Sequence, residues 1–138
     1  MALPTFLAVN LVTPRGVIAH TDTDSLQAPG DLGEFELLPG HVPMLTALKA
    51  GVLTIGTKAR ARYAVSTGYL RIDPQGAVEV LVERAKPVAE IDAAAAQTDL
   101  KSAEAELARW GDKAQDGDYA NLVARADFAR AQIDAVAH

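Results

Sequence analysis

The chain has 138 residues, 49% of them hydrophobic and 22% charged, which is the composition of one folded domain or of a domain with a small appendage. Lys+Arg 13 against Asp+Glu 18 give a net charge of −5, a poor match for nucleic acid or anionic lipid. Cysteine is absent, so disulfides, thiolate catalysis and cysteine metal sites are excluded.

No apolar run reaches the ~18 residues of a membrane span, so no direct membrane insertion is expected. The first ten residues lack a basic segment followed by a long apolar run, so no signal peptide is visible. The composition changes at Pro87. All seven prolines lie at or before it, and eight of the ten glycines precede it. Residues 1–88 carry eight basic and eight acidic side chains, whereas residues 89–138 carry five and ten and are rich in alanine. Proline and glycine punctuate strands, and alanine favours helix. A β module over residues 1–87 and an α module over residues 88–138 are therefore predicted.

In chain order, strands are predicted at residues 6–12, ending at Thr13-Pro14, and at residues 16–20. Residues 29–51 read as tight turns between strands, with Gly30, Gly33 and Gly40 free to take positive φ. Further strands follow at 51–55, 63–66 and 69–72. Asp73-Pro74-Gln75-Gly76 is a turn signal. Residues 77–83 alternate cleanly, with Val78, Val80 and Val82 on one face and Glu79, Leu81 and Glu83 on the other. Many short strands between turns imply an antiparallel β-sandwich or barrel.

Two helices follow. In the first, Ile91, Ala94, Ala95, Thr98, Ala103 and Leu107 fall near helical spacing, with Glu90 and Asp92 in the first turn. Gly111 and Gly117 bracket a break. Asp118 is the preferred N-cap of the second helix and Asp116 the other candidate. Tyr119, Leu122, Val123, Ala126, Ala129, Ile133 and Val136 form its stripe. The short connection predicts an antiparallel hairpin. Its alanine seams bury little area, so it needs another surface to lie on. The expected fold class is α+β, a β-sandwich followed by a two-helix hairpin.

Catalytic chemistry is sparse. Residues 51–58 imitate a phosphate-binding loop, but Thr57 and Lys58 stand in the wrong order and the context is strand. The three histidines, His20, His41 and His138, have no metal-ligand spacing. His41 lies near Glu34 and Glu36, which raises an acid/base or metal site, but the simpler reading is a turn histidine after Pro39-Gly40. No serine sits in a nucleophile elbow. No catalytic residue, metal or cofactor is assigned.

The informative stretch runs Pro29-Gly30-Asp31-Leu32-Gly33-Glu34-Phe35-Glu36-Leu37-Leu38-Pro39-Gly40-His41-Val42-Pro43-Met44-Leu45-Thr46-Ala47-Leu48-Lys49-Ala50-Gly51. It resembles the epsilon subunits of F-type ATP synthases, the delta subunits of mitochondria, whose pattern is approximately PGxxGExGxLPGHxPLLTxLxxG. The resemblance continues through Tyr63-Ala64-Val65-Ser66-Thr67-Gly68-Tyr69-Leu70, through residues 78–82 and Arg84-Ala85, and into Gly117-Asp118-Tyr119. It covers nearly the whole chain, and the 29–51 string is its specific part.

The resemblance implies a non-catalytic rotor subunit of the central stalk, clamping the gamma shaft to the c-subunit ring. Gly33, Glu34 and Phe35 should face the ring. His41, Val42, Pro43, Met44, Leu45 and Thr46 should lie toward gamma. The hairpin should either rest on the sandwich or extend toward the alpha and beta subunits and inhibit ATP hydrolysis. Arg109, Lys113, Arg125 and Arg130 are then the residues to meet acidic surfaces of the catalytic head. The Met1 start without a transit peptide implies a bacterial protein, peripheral on the cytoplasmic face of the plasma membrane.

Three departures from the pattern stand out. Glu36 and Thr67 replace glycines. The nucleotide motif of some members, I/L-D-x-x-R-A, is reduced to Ile91-Asp92-Ala93-Ala94-Ala95-Ala96. Ala95 removes the arginine best suited to phosphate, leaving Arg125 as the remaining candidate, so little or no ATP binding is expected. The alternatives are a nucleotide-responsive sensor or adaptor with a mobile hairpin, and a small enzyme built on His41.

Overall fold

A computed structural model describes residues 5–58 and 60–137. Ten strands come first: β1 (Leu7–Thr13), β2 (Gly16–Thr23), β3 (Leu26–Gly30), β4 (Gly33–Leu37), β5 (Met44–Leu48), β6 (Gly51–Ile55), β7 (Ala61–Val65), β8 (Gly68–Ile72), β9 (Val78–Val82) and β10 (Ala85–Pro87). A 3₁₀ turn (Val88–Glu90) leads into α1 (Ala93–Ala108) and α2 (Gly117–Ala137).

The strands hydrogen-bond in the order β10-β7-β6-β3-β5-β8-β9-β1-β2, and β4 pairs with β3 off this path. β1 and β9 run parallel; the other pairs are antiparallel. Period-two alternation directs Leu7, Val9 and Leu11 of β1 inward, together with Val78, Val80 and Val82 of β9. They meet Leu26, Leu37, Leu53, Val65 and Leu70 in one core, so the sheet folds over itself as a sandwich.

Four strands, β3, β4, β5 and β10, fall where no strand is predicted. Residues 29–51 hold β4 and β5 rather than turns alone. Their glycines and prolines signal turns, but β4 closes a local hairpin with β3 and β5 is drawn into a long-range ladder with β8, and these pairings override that signal. Asp31 N–H donates to the Ala47 carbonyl (3.1 Å), and Lys49 N–H to that of Pro29 (3.0 Å). At Gly30 a Cβ would lie 2.6 Å from the Gly33 carbonyl oxygen and 2.8 Å from Phe35 Cδ1. That glycine serves close approach, not positive φ.

The helices pair antiparallel and lie on the sandwich through α2, which packs on β6 and β7. Phe128, Ala131 and Ala135 form one cluster with Ala64, Val52, Val88 and Ile91. Leu122 and Ala126 form another with Ala103, Leu100, Leu107 and Trp110 of the α1 side. Helix α2 therefore buries two faces, and the single predicted stripe misses the one on the sheet.

The predicted phase of α1 is wrong in its first half. Ala94, Ala95 and Thr98 are exposed, whereas Ala96 and Ala103 are buried and Leu100 and Leu107 half-buried. A run of alanines carries no phase information. Asp92 is not in the first turn but is the N-cap, accepting from Ala95 N–H at 3.0 Å, and Glu90 lies in the 3₁₀ turn. Asp116, not Asp118, caps α2, its Oδ1 accepting from the N–H groups of Asp118 (3.0 Å) and Tyr119 (3.3 Å).

Candidate functional site

The sandwich face remote from the hairpin is formed by β5, β8, β9, β1 and β2. Registers align one row across it: Ala47, Tyr69, Leu81, Val12 and Val17. Tyr69 is 57% exposed, Leu81 41% and Val17 64%. The neighbouring row is Leu45, Arg71, Glu79, Asn10 and His20. Leu45 is 69% exposed. The rest of this row pairs internally, with Arg71 Nη2 on Glu79 Oε1 at 3.0 Å and the His20 imidazole on the Asn10 amide. An apolar row beside a self-satisfied polar row is a surface suited to another protein. Its lower end opens into a shallow groove of about 610 Å³ beside Pro14, Gly68 and Glu83.

Of the residues assigned to the gamma side, Leu45 lies on this face. Met44 packs against the sandwich core, and Thr46 is half-buried. His41, Val42 and Pro43 are exposed in the connection before β5. Val12, Val17, Tyr69 and Leu81 share this face and are not among the residues the sequence pattern singles out for the gamma side. Their signal is an apolar residue at an outward position of an alternating strand, as Leu81 stands between Val80 and Val82.

The same registers gather the turns at 14–15, 31–32, 49–50, 66–67 and 83–84 at one end of the sandwich. Gly33, Glu34 and Phe35 begin β4 at that end, and Leu32 at the turn is fully exposed. Glu34 is exposed; Phe35 packs partly against the core. His41 belongs to the opposite end. Its Nδ1 faces the Val42 carbonyl at 3.2 Å, while Glu36 accepts from Gln27 at 3.4 Å, so no acid/base group assembles there. His138 lies outside the described residues. Among the described residues no group of three His, Asp or Glu side chains could hold a metal.

On the hairpin, Ile91 packs beside Phe128, Ala95 is exposed and Ala96 buried. Arg125 is held by α1: its Nε donates to Asp99 (2.7 Å), Nη2 to Ser102 (3.0 Å), and Nη1 lies 3.9 Å from Glu106. Arg130 pairs with Asp127 at 3.0 Å, and the Lys113 ammonium sits 5.6 Å from the Trp110 ring centre. Arg109 is exposed at the α1 C-cap.

Residues 6–88 match the family model described as "ATP synthase, Delta/Epsilon chain, beta-sandwich domain". The chain is 40% identical to the ATP synthase epsilon chain of Geobacter sulfurreducens over 111 residues, 80% of each chain. It is 36% identical to ATP synthase epsilon chain 2 of Syntrophotalea carbinolica over 92% of this chain and 91% of the other. Among solved structures, its fold is similar to a chain of the Euglena gracilis mitochondrial ATP synthase OSCP/F1/c-ring assembly. That match has TM-score 0.77 and 19% identity, covering 100% of this chain and 85% of the other. A chain of the Tetrahymena thermophila mitochondrial ATP synthase central stalk and c-ring gives TM-score 0.63 and 18% identity, over 98% and 99%.

Proposed function

The chain belongs to the delta/epsilon family of ATP synthase subunits, and from that premise we propose how its surfaces serve the central stalk. It is a non-catalytic subunit of the membrane-bound complex; the catalytic sites lie on other subunits. No helix among its described residues is long and apolar enough to cross a membrane. The chain works at the cytoplasmic face of a bacterial plasma membrane.

The outer apolar row is the seat of the gamma shaft, and the observation that carries this is the line Ala47, Tyr69, Leu81, Val12 and Val17, exposed at every position but the half-buried Val12. The Leu32–Glu34 end meets the c-subunit ring, supported by the fully exposed Leu32 beside the exposed Glu34. Capture of gamma by the tagged chain tests the first assignment. Tyr69→Glu should abolish capture while leaving the thermal midpoint within a few degrees, because Tyr69 is outside the core. Undiminished capture would remove gamma from this face.

The hairpin lying on β6 and β7 is the docked, non-inhibitory arrangement, and its release toward the alpha and beta subunits restrains ATP hydrolysis. The alanine-rich contacts on both faces of α2 support two packings of similar free energy. ATP hydrolysis by the complex should rise when residues 89–138 are removed; an unchanged rate would rule out restraint by the hairpin. ATP itself is not a ligand. Arg125 is already satisfied by three α1 side chains, and Ala95 offers no donor. Millimolar ATP should leave the amide spectrum unshifted, whereas saturable shifts at Asp92 and Arg125 would overturn this.

A further inference from the structure

Three strands of the sandwich, β10, β4 and β2, lack a ladder partner on one side among the described residues. Such edges invite another chain unless they are short, charged or interrupted by proline. Strand β10 has three residues and ends in Pro87, which has no N–H to offer. Strand β4 carries the exposed Glu34 and Glu36. Strand β2 is eight residues long, with neither lysine nor proline, and carries one carboxylate, Asp22, where β4 carries two in five residues.

The position of β2 matters as much as its composition. A register shift between Leu11 and Val12 leaves Ile18 without a cross-strand partner, and both Val17 and Ile18 are exposed. Beyond that bulge, residues 19–23 pair regularly with residues 7–11 of β1 and leave their other side open. Val17 registers with Val12 and so ends the apolar row of the outer face at this open edge. Asp22 is exposed and has no ion-pair partner among the described residues.

We propose that β2 is extended in the complex by an added strand from the gamma shaft, antiparallel or parallel to residues 19–23. The added strand places an apolar side chain against Val17 and Ile18 and a cation near Asp22. The proposal rests on the reading of the outer face as the gamma seat and names its mode: the ladder supplies affinity, and the apolar and charged positions supply register. A helix laid on the same face would leave the β2 amides free, so the two modes are separable by experiment.

Amide hydrogen exchange of the isolated full chain and of the purified gamma-bound complex makes the test. Slowing of the outward-facing amides within residues 19–23 by roughly tenfold or more supports strand addition. Protection around Tyr69 and Leu81 with β2 amides exchanging as in the free chain overturns it and leaves the gamma seat standing. Absence of both, in a complex that still contains gamma, overturns the seat and the added strand together. Asp22→Lys should weaken gamma capture several-fold at low salt without altering the fold, since Asp22 is exposed; unchanged capture would remove the cation from the proposed register.

Discussion

Gly68 illustrates how one residue sets a strand pairing. A Cβ there would lie 2.0 Å from the Leu81 carbonyl oxygen and 2.9 Å from Val82 Cα, so β8 can approach β9 only without it. Gly68→Ala should cost about 3 kcal/mol, read as a lowered urea midpoint. Its neighbour Thr67, where a glycine is usual, is exposed, which explains why that departure is tolerated. Glu36 is likewise exposed on β4 and accepts from Gln27. Asp24 is a second informative residue. Its carboxylate accepts from the Thr57 hydroxyl and, at 3.2 Å, from Thr57 N–H, tying the β2–β3 turn to the β6–β7 connection. The Thr57 hydroxyl is the largest influence holding the Asp24 pKa below its ordinary value of 3.8; desolvation, the next largest, opposes it, and the Thr57 N–H adds to the lowering. A folded pKa below the unfolded one means that the strap stabilises above the unfolded value and fades as pH falls through the folded value. Asp24→Asn should therefore lower the urea midpoint at neutral pH and make no difference in strong acid. An equal loss at both pH values would show that the charge is irrelevant.

At the scale of elements, the hairpin shows where sequence patterns lose phase. Helix α1 buries only Ala96 and Ala103, and its placement depends on α2 and on Arg125. Arg125 is partly exposed, so its ion pairs contribute up to about 1 kcal/mol. Arg125→Ala should speed amide exchange in α1 by roughly fivefold while α2 stays protected. Equal acceleration in both helices would mean that the hairpin opens as one unit. Phe128 is the large side chain in the α2–sheet contact, with the Arg84 guanidinium 5.8 Å from its ring centre. Phe128→Ala should cost about 3 kcal/mol of docking, seen as accelerated exchange across α2 with the sandwich amides unchanged. Retained protection of α2 would place the docking energy elsewhere. The helices themselves were legible from alanine content and the Gly111 and Gly117 breaks. The stripe through Leu122, Ala126 and Ala129 of α2 was legible too, but not the phase of α1, where alanine fits either face, nor the second buried face of α2 on the sheet.

At the scale of the whole molecule, the core cluster of the sandwich contains no hairpin residue. A chain ending at Glu90 should therefore keep its β structure, with a melting point lowered by several degrees as Ala64, Val52 and Val88 lose their cover. Loss of cooperative unfolding would show that the hairpin is part of the folding unit. The class of each half follows from composition alone, because proline and glycine forbid long helices and alanine promotes them. The alternating strands are legible too, where a strict period of two leaves one choice of buried face. The 29–51 string carried the family resemblance without revealing that it contains β4 and β5. Those strands emerge only in the folded chain: β5 pairs with β8, beyond β6 and β7 in sequence, and β4 folds back on β3 across the tight Asp31-Leu32 turn, where glycine and proline hide the strand pattern. The outer face emerges there too: Val12, Val17, Tyr69 and Leu81 lie on four different strands, and only the ladder registers join them into a row. Local chemistry selects elements within a few residues, whereas a surface is made by whichever side chains the fold leaves on the same side.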